Sequence, residues 1–324
     1  MGSPCLLPFS CATGSAGRCR FGKIAVYLST WRMISWPDAL RPALAISCAV
    51  AALIGGTAQA QDVSGRPDDL KIGGDRISIG VGAASTPTYI GSASSRVLPT
   101  AAVQGQVSGV SFNTSGTALY VDAVPSKGKP GWKLELGPLA ALRLDRTGGI
   151  GNLAVNALGK RDTALELGGS VGIQRTGVVT SPYDTLSISL SYQHDIAGAH
   201  GSYVASPEID YDTPLSEHAF VSFSASADYV GQGFGRYYYG IDEAGSRASG
   251  LPVYDDADKA GWKDWNLSTM AVHSISGNLL HGVGLFVTGG YQRLLGAYAR
   301  SPIVADVGSR NQWSGALGLE YTFR

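Results

Sequence analysis

Cysteine and charge are both scarce in this 324-residue chain: it has four cysteines, and Asp, Glu, Lys and Arg together make up 15% of it. The four cysteines (Cys5, Cys11, Cys19 and Cys48) all lie within or ahead of a stretch that reads as a leader. The chain beyond that leader therefore has neither disulfides nor thiolate metal sites. After residue 60 there is no run of about 18 apolar residues, which excludes a transmembrane helix there. There is no basic cluster either. Removing residues 1–60 takes five of the 25 basic residues and one of the 25 acidic ones, leaving 20 against 24. A mildly acidic chain of this kind is a poor nucleic-acid binder. The chain is rich in glycine (44), with 15 prolines and 15 tyrosines. With so little charge, something other than water must cover part of its surface.

The leader runs from Pro42 to Ala60, with an apolar stretch ending in Ala58-Gln59-Ala60 before Gln61. It is too short for a comfortable membrane-spanning helix and carries an A-x-A cleavage site, so it reads as a secretory signal peptide. Met33 would start a leader of ordinary length, with Arg41 as its basic residue. Residues 1–32 then read as an extension ahead of the true start, 33–60 as the signal peptide, 61–75 as a periplasmic segment and 76–324 as the folded body. A lipoprotein reading through Cys48 fails because Ala45-Ile46-Ser47 lacks the expected leucine.

Beyond the leader the pattern has period two. Leu186, Ile188, Leu190 and Tyr192 alternate with Ser187, Ser189, Ser191 and Gln193. In the last segment Trp313, Gly315, Leu317, Leu319, Tyr321 and Phe323 share one face, with aromatics at both ends of the stripe. A strand that crosses a membrane needs about 9–11 residues, apolar outward and polar inward, with aromatic residues at the two interfaces. A soluble sandwich also alternates. The export signal, the small and acidic polar faces and the aromatic-rich final strand favour a barrel. Because lipid offers the backbone no hydrogen-bond partner, the strands must close without an edge. The expected fold is all-β, a closed antiparallel transmembrane β-barrel of about twelve strands. Their expected spans are 76–87, 97–106, 109–114, 117–124, 132–145, 163–175, 184–195, 201–212, 219–230, 264–275, 282–294 and 311–323. If Gly116 is a bulge within a single strand over 107–125, the count falls to about ten. The long connections 146–162, 231–263 and 295–310 all fall on the extracellular side.

Several motifs resemble those of the MipA/OmpV family, the MltA-interacting outer-membrane proteins. One is Ser249-Gly250-Leu251-Pro252-Val253-Tyr254-Asp255, preceded by Tyr238-Tyr239-Gly240-Ile241. Another is Arg293-Leu294-Leu295-Gly296, then Ser301-Pro302-Ile303-Val304, Gly308-Ser309 and Asn311-Gln312. Weaker echoes are Tyr89-Ile90-Gly91, Leu98-Pro99 and Leu136-Gly137-Pro138. The resemblance covers most of residues 76–323. It implies the outer membrane of a Gram-negative cell and, for the namesake branch, a scaffold bridging a lytic transglycosylase and a penicillin-binding protein in peptidoglycan turnover. Other branches are linked to osmotic response or adhesion. The chain ends Phe323-Arg324, one residue past the aromatic on which such barrels usually finish.

The candidate chemistry is sparse. Gly168-Gly169-Ser170-Val171-Gly172 has the spacing of a nucleophile elbow, but it sits in a strand instead of a strand–turn–helix. His194-Asp195 reads as a solvated loop pair, and the five histidines have no metal-ligand spacing. Asp242, Glu243, Asp255, Asp256 and Asp258 offer hard-cation or lipopolysaccharide-bridging oxygens without a calcium-loop spacing. Arg236 with tyrosines 237–239 reads as interfacial anchoring. Alternation puts Lys133, Glu135, Arg143, Glu166, Glu208, Asp210, Asp228 and Glu320 on the polar face, as an interior hydrogen-bonded plug or a narrow cation-leaning pore. No catalytic, cofactor or metal site is expected. The partners expected are outer-membrane lipid and lipopolysaccharide.

Overall fold

The computed structural model describes residues 74–125 and 131–324. The expected extension, signal peptide and residues 61–73 lie outside the described residues.

Twelve strands among the described residues close into one antiparallel barrel. They are β1 (Arg76–Pro87), β2 (Ser95–Val107), β3 (Val110–Ser115), β4 (Ala118–Asp122), β5 (Gly131–Arg143) and β6 (Ala164–Thr176), followed by β7 (Thr185–Asp195), β8 (Tyr203–Pro214), β9 (Ala219–Val230), β10 (Gly261–Ser274), β11 (Gly282–Leu294) and β12 (Asn311–Phe323). Each strand pairs with its neighbour in sequence, and β1 pairs with β12 from Ile77↔Phe323 to Ser85↔Gly315, which closes the wall. The ten-strand alternative is excluded. Ser108 and Gly109, both at positive φ (52° and 85°), make a two-residue turn between β2 and β3. That geometry matches the twist of a tight hairpin. Gly116 (φ 58°) is likewise a turn residue between β3 and β4, not a bulge.

Outward side chains form the apolar belt: Val81, Leu134, Ile188, Phe223, Leu267 and Leu319 all stand exposed on the outer wall. Aromatic rings bound it. Trp265, Tyr291 and Trp313 pack ring against ring near one end, and Tyr321 with Phe323 lies near the other. Crossing is by strands; among the described residues no helix is long and apolar enough to span a bilayer. Connections 108–109, 177–184, 215–218 and 275–281 lie at the end where β1 begins and β12 finishes, and are short. By the usual asymmetry of such barrels this end is periplasmic.

The opposite connections 146–162, 231–263 and 295–310 contain short helices. These are α1 (Leu153–Ala157), α2 (Gln232–Tyr239), α3 (Glu243–Ser249), α4 (Gly296–Arg300) and α5 (Pro302–Ala305). Helices of four to eight residues are shorter than the window in which a 3.6-residue repeat can be read. Several strand ends also differ from expectation: β2 starts at Ser95 rather than 97, β4 ends at Asp122 rather than 124, and β8 runs Tyr203–Pro214 rather than 201–212. β5 stops at Arg143 rather than 145, and β10 starts at Gly261 rather than 264. A bulge between Trp262 and Asp264 accounts for the latter. By adding one residue to the strand it turns both Lys263 and Asp264 into the interior.

Candidate functional site

The extracellular mouth is closed by a lid in which the connections pack on one another. Its centre is α2. Phe234, Tyr238 and Tyr239 are buried with Tyr298 of α4, Leu294 and Val304. Beside it Tyr89, Ile150, Val155, Ile241, Leu251 and Ile303 form a second cluster. The tyrosines expected as interfacial anchors are thus core residues of the lid: Tyr238 and Tyr239 are each 2% exposed. Burial, with little to offset it, raises the phenols of Tyr238 and Tyr239 above their ordinary range.

The family-motif residues build this lid. Ser249 caps the end of α3, its hydroxyl donating to Gly245 O and accepting from Leu251 N–H. Gly250 follows in the left-handed conformation (φ 75°), which a residue with a Cβ adopts at a cost. Tyr254 bridges Ile241 through two backbone hydrogen bonds and donates its hydroxyl to Ala297 O at 2.6 Å. Pro252 lies between these two anchors. Ser301, fully buried, donates to Tyr239 O, and Pro302 opens α5 as its first helical residue. Gln312 gathers three segments. Its Oε1 accepts from Gly91 N–H, and its Nε2 donates to Ser92 O and Ser309 O. Asn311 takes the Tyr291 hydroxyl at 2.8 Å. Gly308 touches Gly91 so closely that a Cβ would lie 2.0 Å from its carbonyl oxygen.

Under the lid two ion clusters lie beside Phe234. In the first, Arg143 donates from Nε and Nη2 to the two oxygens of Glu166, at 2.8 and 2.9 Å. Gln193 donates to Oε2 and His200 Nε2 lies 2.9 Å from Oε1. Since the Ser202 N–H donates to His200 Nδ1, the ring proton sits on Nε2 and points at Glu166. In the second cluster Lys263 Nζ is 2.9 Å from both Asp228 and Asp264. Gln292 and Asn266 also donate to Asp264. The Arg143 guanidinium and Lys263 Nζ lie 5.0 and 5.5 Å from the Phe234 ring centroid, within reach of a cation–π attraction.

Of the eight residues assigned to the polar face, Arg143, Glu166 and Asp228 belong to these clusters. Lys133 pairs with Asp122. Glu208, Asp210 and Glu320 are half-buried on inner positions further from the lid, as is Glu135, and Asp210 accepts from Ser224 and Ser187. Asp212, unmarked by sequence reading, joins them through Thr185. The inner wall of the periplasmic half thus carries Asp122, Glu135, Glu208, Asp210, Asp212 and Glu320 against Lys133 and Arg76.

Other expectations fare differently. Asp195 is 4% exposed, not solvated, and accepts four backbone N–H groups from Ala197, Gly198, His200 and Gly201. It is the built core of the β7–β8 turn. Ser170 sits within β6, paired with Gly137 and Ser191. The loop acids are not gathered about one point: Asp242 caps α3, Asp256 meets Lys259 and Arg300, and Asp258 meets Arg236. Among the described residues no three His, Cys, Asp or Glu side chains are clustered as metal ligands. Lys263 and His200 were the functional residues sequence reading missed. A bulge hid the first, and the second belongs to a set of histidines whose spacing carries no signal.

Residues 79–323 match the family model described as MltA-interacting protein MipA. No curated protein matches the chain. Forty-three chains of solved structures are similar to it. They include the outer membrane channel DcaP of Acinetobacter baumannii, 10% identical, covering 78% of this chain and 98% of that one, with a TM-score of 0.31. The translocator domain of autotransporter NalP from Neisseria meningitidis is 14% identical, covering 86% and 98%, with a TM-score of 0.31. A Pseudomonas aeruginosa FadL homologue is 9% identical, covering 77% and 90%, with a TM-score of 0.30.

Proposed function

Because the chain belongs to the MltA-interacting protein MipA family, we propose that this outer-membrane β-barrel protein is a non-enzymatic scaffold. On this reading it holds peptidoglycan-processing enzymes, a lytic transglycosylase and a penicillin-binding protein, at its periplasmic face. The observation that supports it is where the family-motif residues sit. They are spent on sealing the extracellular mouth, with Ser301, Ile303 and Val304 each at most 1% exposed. A barrel sealed in this way anchors whatever binds its open side and passes little through. The periplasmic side offers the turns 177–184, 215–218 and 275–281. The first is held by Asp184, which accepts backbone N–H groups from Val178, Val179 and Thr180. Such turns make a small surface, below the roughly 800 Å² per partner of a standard stable interface, so transient or multivalent contact is expected.

A second reading, a narrow cation-leaning pore, draws on the acidic inner wall. One preparation separates the two. The folded barrel is recovered from cross-linked envelopes, its partners are identified by mass spectrometry, and conductance is recorded in planar bilayers. Recovery of those two enzymes without channel activity supports the scaffold. Conductance without them replaces it with the pore.

A further inference from the structure

The barrel wall is incomplete on its extracellular half. β2 pairs with β3 only from Gln104↔Asn113 to Val107↔Val110, because the β3–β4 hairpin is short and turns at Gly116. Above that turn, residues 95–102 of β2 pair with β1 alone among the described residues. The direction of the unpaired groups is set by two contacts. Val103 presents its N–H and C=O to Thr114 Oγ1 on the β3 side, whereas Ser94 O accepts from Thr88 on the β1 side. Alternation therefore aims the backbone of Ser95, Val97, Pro99 and Ala101 into the gap. Pro99 has no N–H to leave unpaired, a common device at a permanent edge.

The ladder places this edge within the belt. Pro99 shares a row with Ala83 and Leu317, and Ala101 with Val81 and Leu319. Bare backbone at membrane depth is tolerated only where it meets protein or a polar cavity. A cavity of about 380 Å³ lies beside this edge, touching β2 at Arg96, and is within the size range of small-molecule sites. It is lined by Arg96 on β2, by Ser115 and Thr117 at the hairpin tip, and by Arg143 and Asp145 at the top of β5, and it reaches inward to Gln193. It therefore reaches from the hairpin tip toward the interior of the barrel.

We propose that this gap is a lateral portal that binds an amphiphile by its anionic headgroup, admitted from the surrounding lipid. Arg143 is already paired with a carboxylate, Glu166. Arg96 is not: one nitrogen, Nη1, donates to Gly148 O, while its buried Nε has no partner. That donor fits a carboxylate or phosphate oxygen. Outside the gap Val97 is 71% exposed, and Leu119, Leu142 and Leu144 are also bare. They form an apolar rim along which an acyl chain lies while the head enters. A partner strand fits the edge less well, because Pro99 interrupts the donors that strand addition uses. The site is independent of any peptidoglycan enzyme at the periplasmic side.

The test uses the full-length protein in phosphatidylcholine nanodiscs with a diazirine-bearing hexadecanoate, and labelled peptides are mapped by mass spectrometry. Labelling is expected at 95–98, 115–120 and 141–145, and unlabelled hexadecanoate should compete for it. Arg96→Gln should lower it about tenfold, the equivalent of one charge-assisted hydrogen bond of about 1.4 kcal/mol. Ser115→Trp, which fills the cavity from its edge, should lower it similarly, and Arg175→Gln on the outer wall should not. Retained folding is read from heat-modified gel mobility, and either variant alone suffices if the other does not fold. Three results would overturn the proposal. One is even labelling of the belt, unchanged by both variants. Another is equal competition by hexadecanol or by acetate, which would leave no role for head or for chain. The third is ready disulfide dimerisation of Val97→Cys beyond that of the parent protein, which would give the edge to a second copy.

Discussion

Arg143 and Glu166 meet in a two-pronged pair, Nε to Oε1 at 2.8 Å and Nη2 to Oε2 at 2.9 Å, joining the top of β5 to the top of β6. Glu166 is 1% exposed, yet Arg143, Gln193 and His200 between them engage both of its oxygens. Burying a carboxylate without such partners would be prohibitive. With them, the pair fixes the floor on which Phe234 rests.

Glu166→Ala is accordingly expected to destabilise the barrel by roughly 3–5 kcal/mol, since it strands a buried guanidinium. Glu166→Gln keeps the shape and one acceptor and should cost less. Urea unfolding in lipid vesicles reads both. Equal, small losses from the two variants would mean that the pair is structurally idle.

Asp184 supplies a pH dependence at the periplasmic end. Burial by itself would raise its pKa. The N–H groups of Thr180, Val178 and Val179 and the Tyr211 hydroxyl outweigh that and hold it well below the usual carboxylate range. A depressed folded pKa gives stability that is present above the unfolded value of about 3.9 and is lost as pH falls through the folded one. Asp184→Ala should therefore be less stable than the parent by a constant margin between pH 5 and 8, and the margin should narrow below about pH 4. Unfolding midpoints across that range check this. A margin that widens toward acid would contradict it.

The wall was legible in sequence because period two depends only on which face meets lipid. Leu186 to Gln193 announced β7, and Trp313 to Phe323 announced β12. The lid was not legible. Its helices are too short to show a repeat, and Tyr238 and Tyr239, which look like interfacial aromatics, are buried only because Ser301 and Tyr298 come from about 60 residues away in the chain to cover them. Alternation names the polar face but not its pairings. That Arg143 finds Glu166 is a consequence of the β5–β6 register, and that Lys263 lies between two acids is the work of a bulge that shifts the period by one.

Gly308 and Gly91 test whether the motif residues hold the lid. The Gly308 backbone lies against Gly91, with Ser309 N–H donating to Gly91 O at 2.8 Å. Gly308→Ala would put a methyl group 2.0 Å from that oxygen, so the 295–310 connection must shift. A loss of about 1–3 kcal/mol is expected, together with faster proteolysis of that connection in intact cells. Unchanged proteolysis would show that the contact yields freely.

Phe234→Ala decides what the lid is for. The ring is 1% exposed and lies near two cations, Arg143 and Lys263. Its removal leaves a cavity worth about 3–5 kcal/mol and takes away the ring that both cations approach. If the lid is a seal, the variant should conduct in planar bilayers where the parent does not. The current should prefer cations, because Glu208, Asp210 and Asp212 line the wall beneath. Adding Glu208→Gln should then weaken that preference without closing the channel, since the removed charge faces the lumen and no part of the lid rests on it. A parent that already conducts as well as Phe234→Ala would mean that the lid is not a seal, and the pore would displace the scaffold as the better account of this barrel.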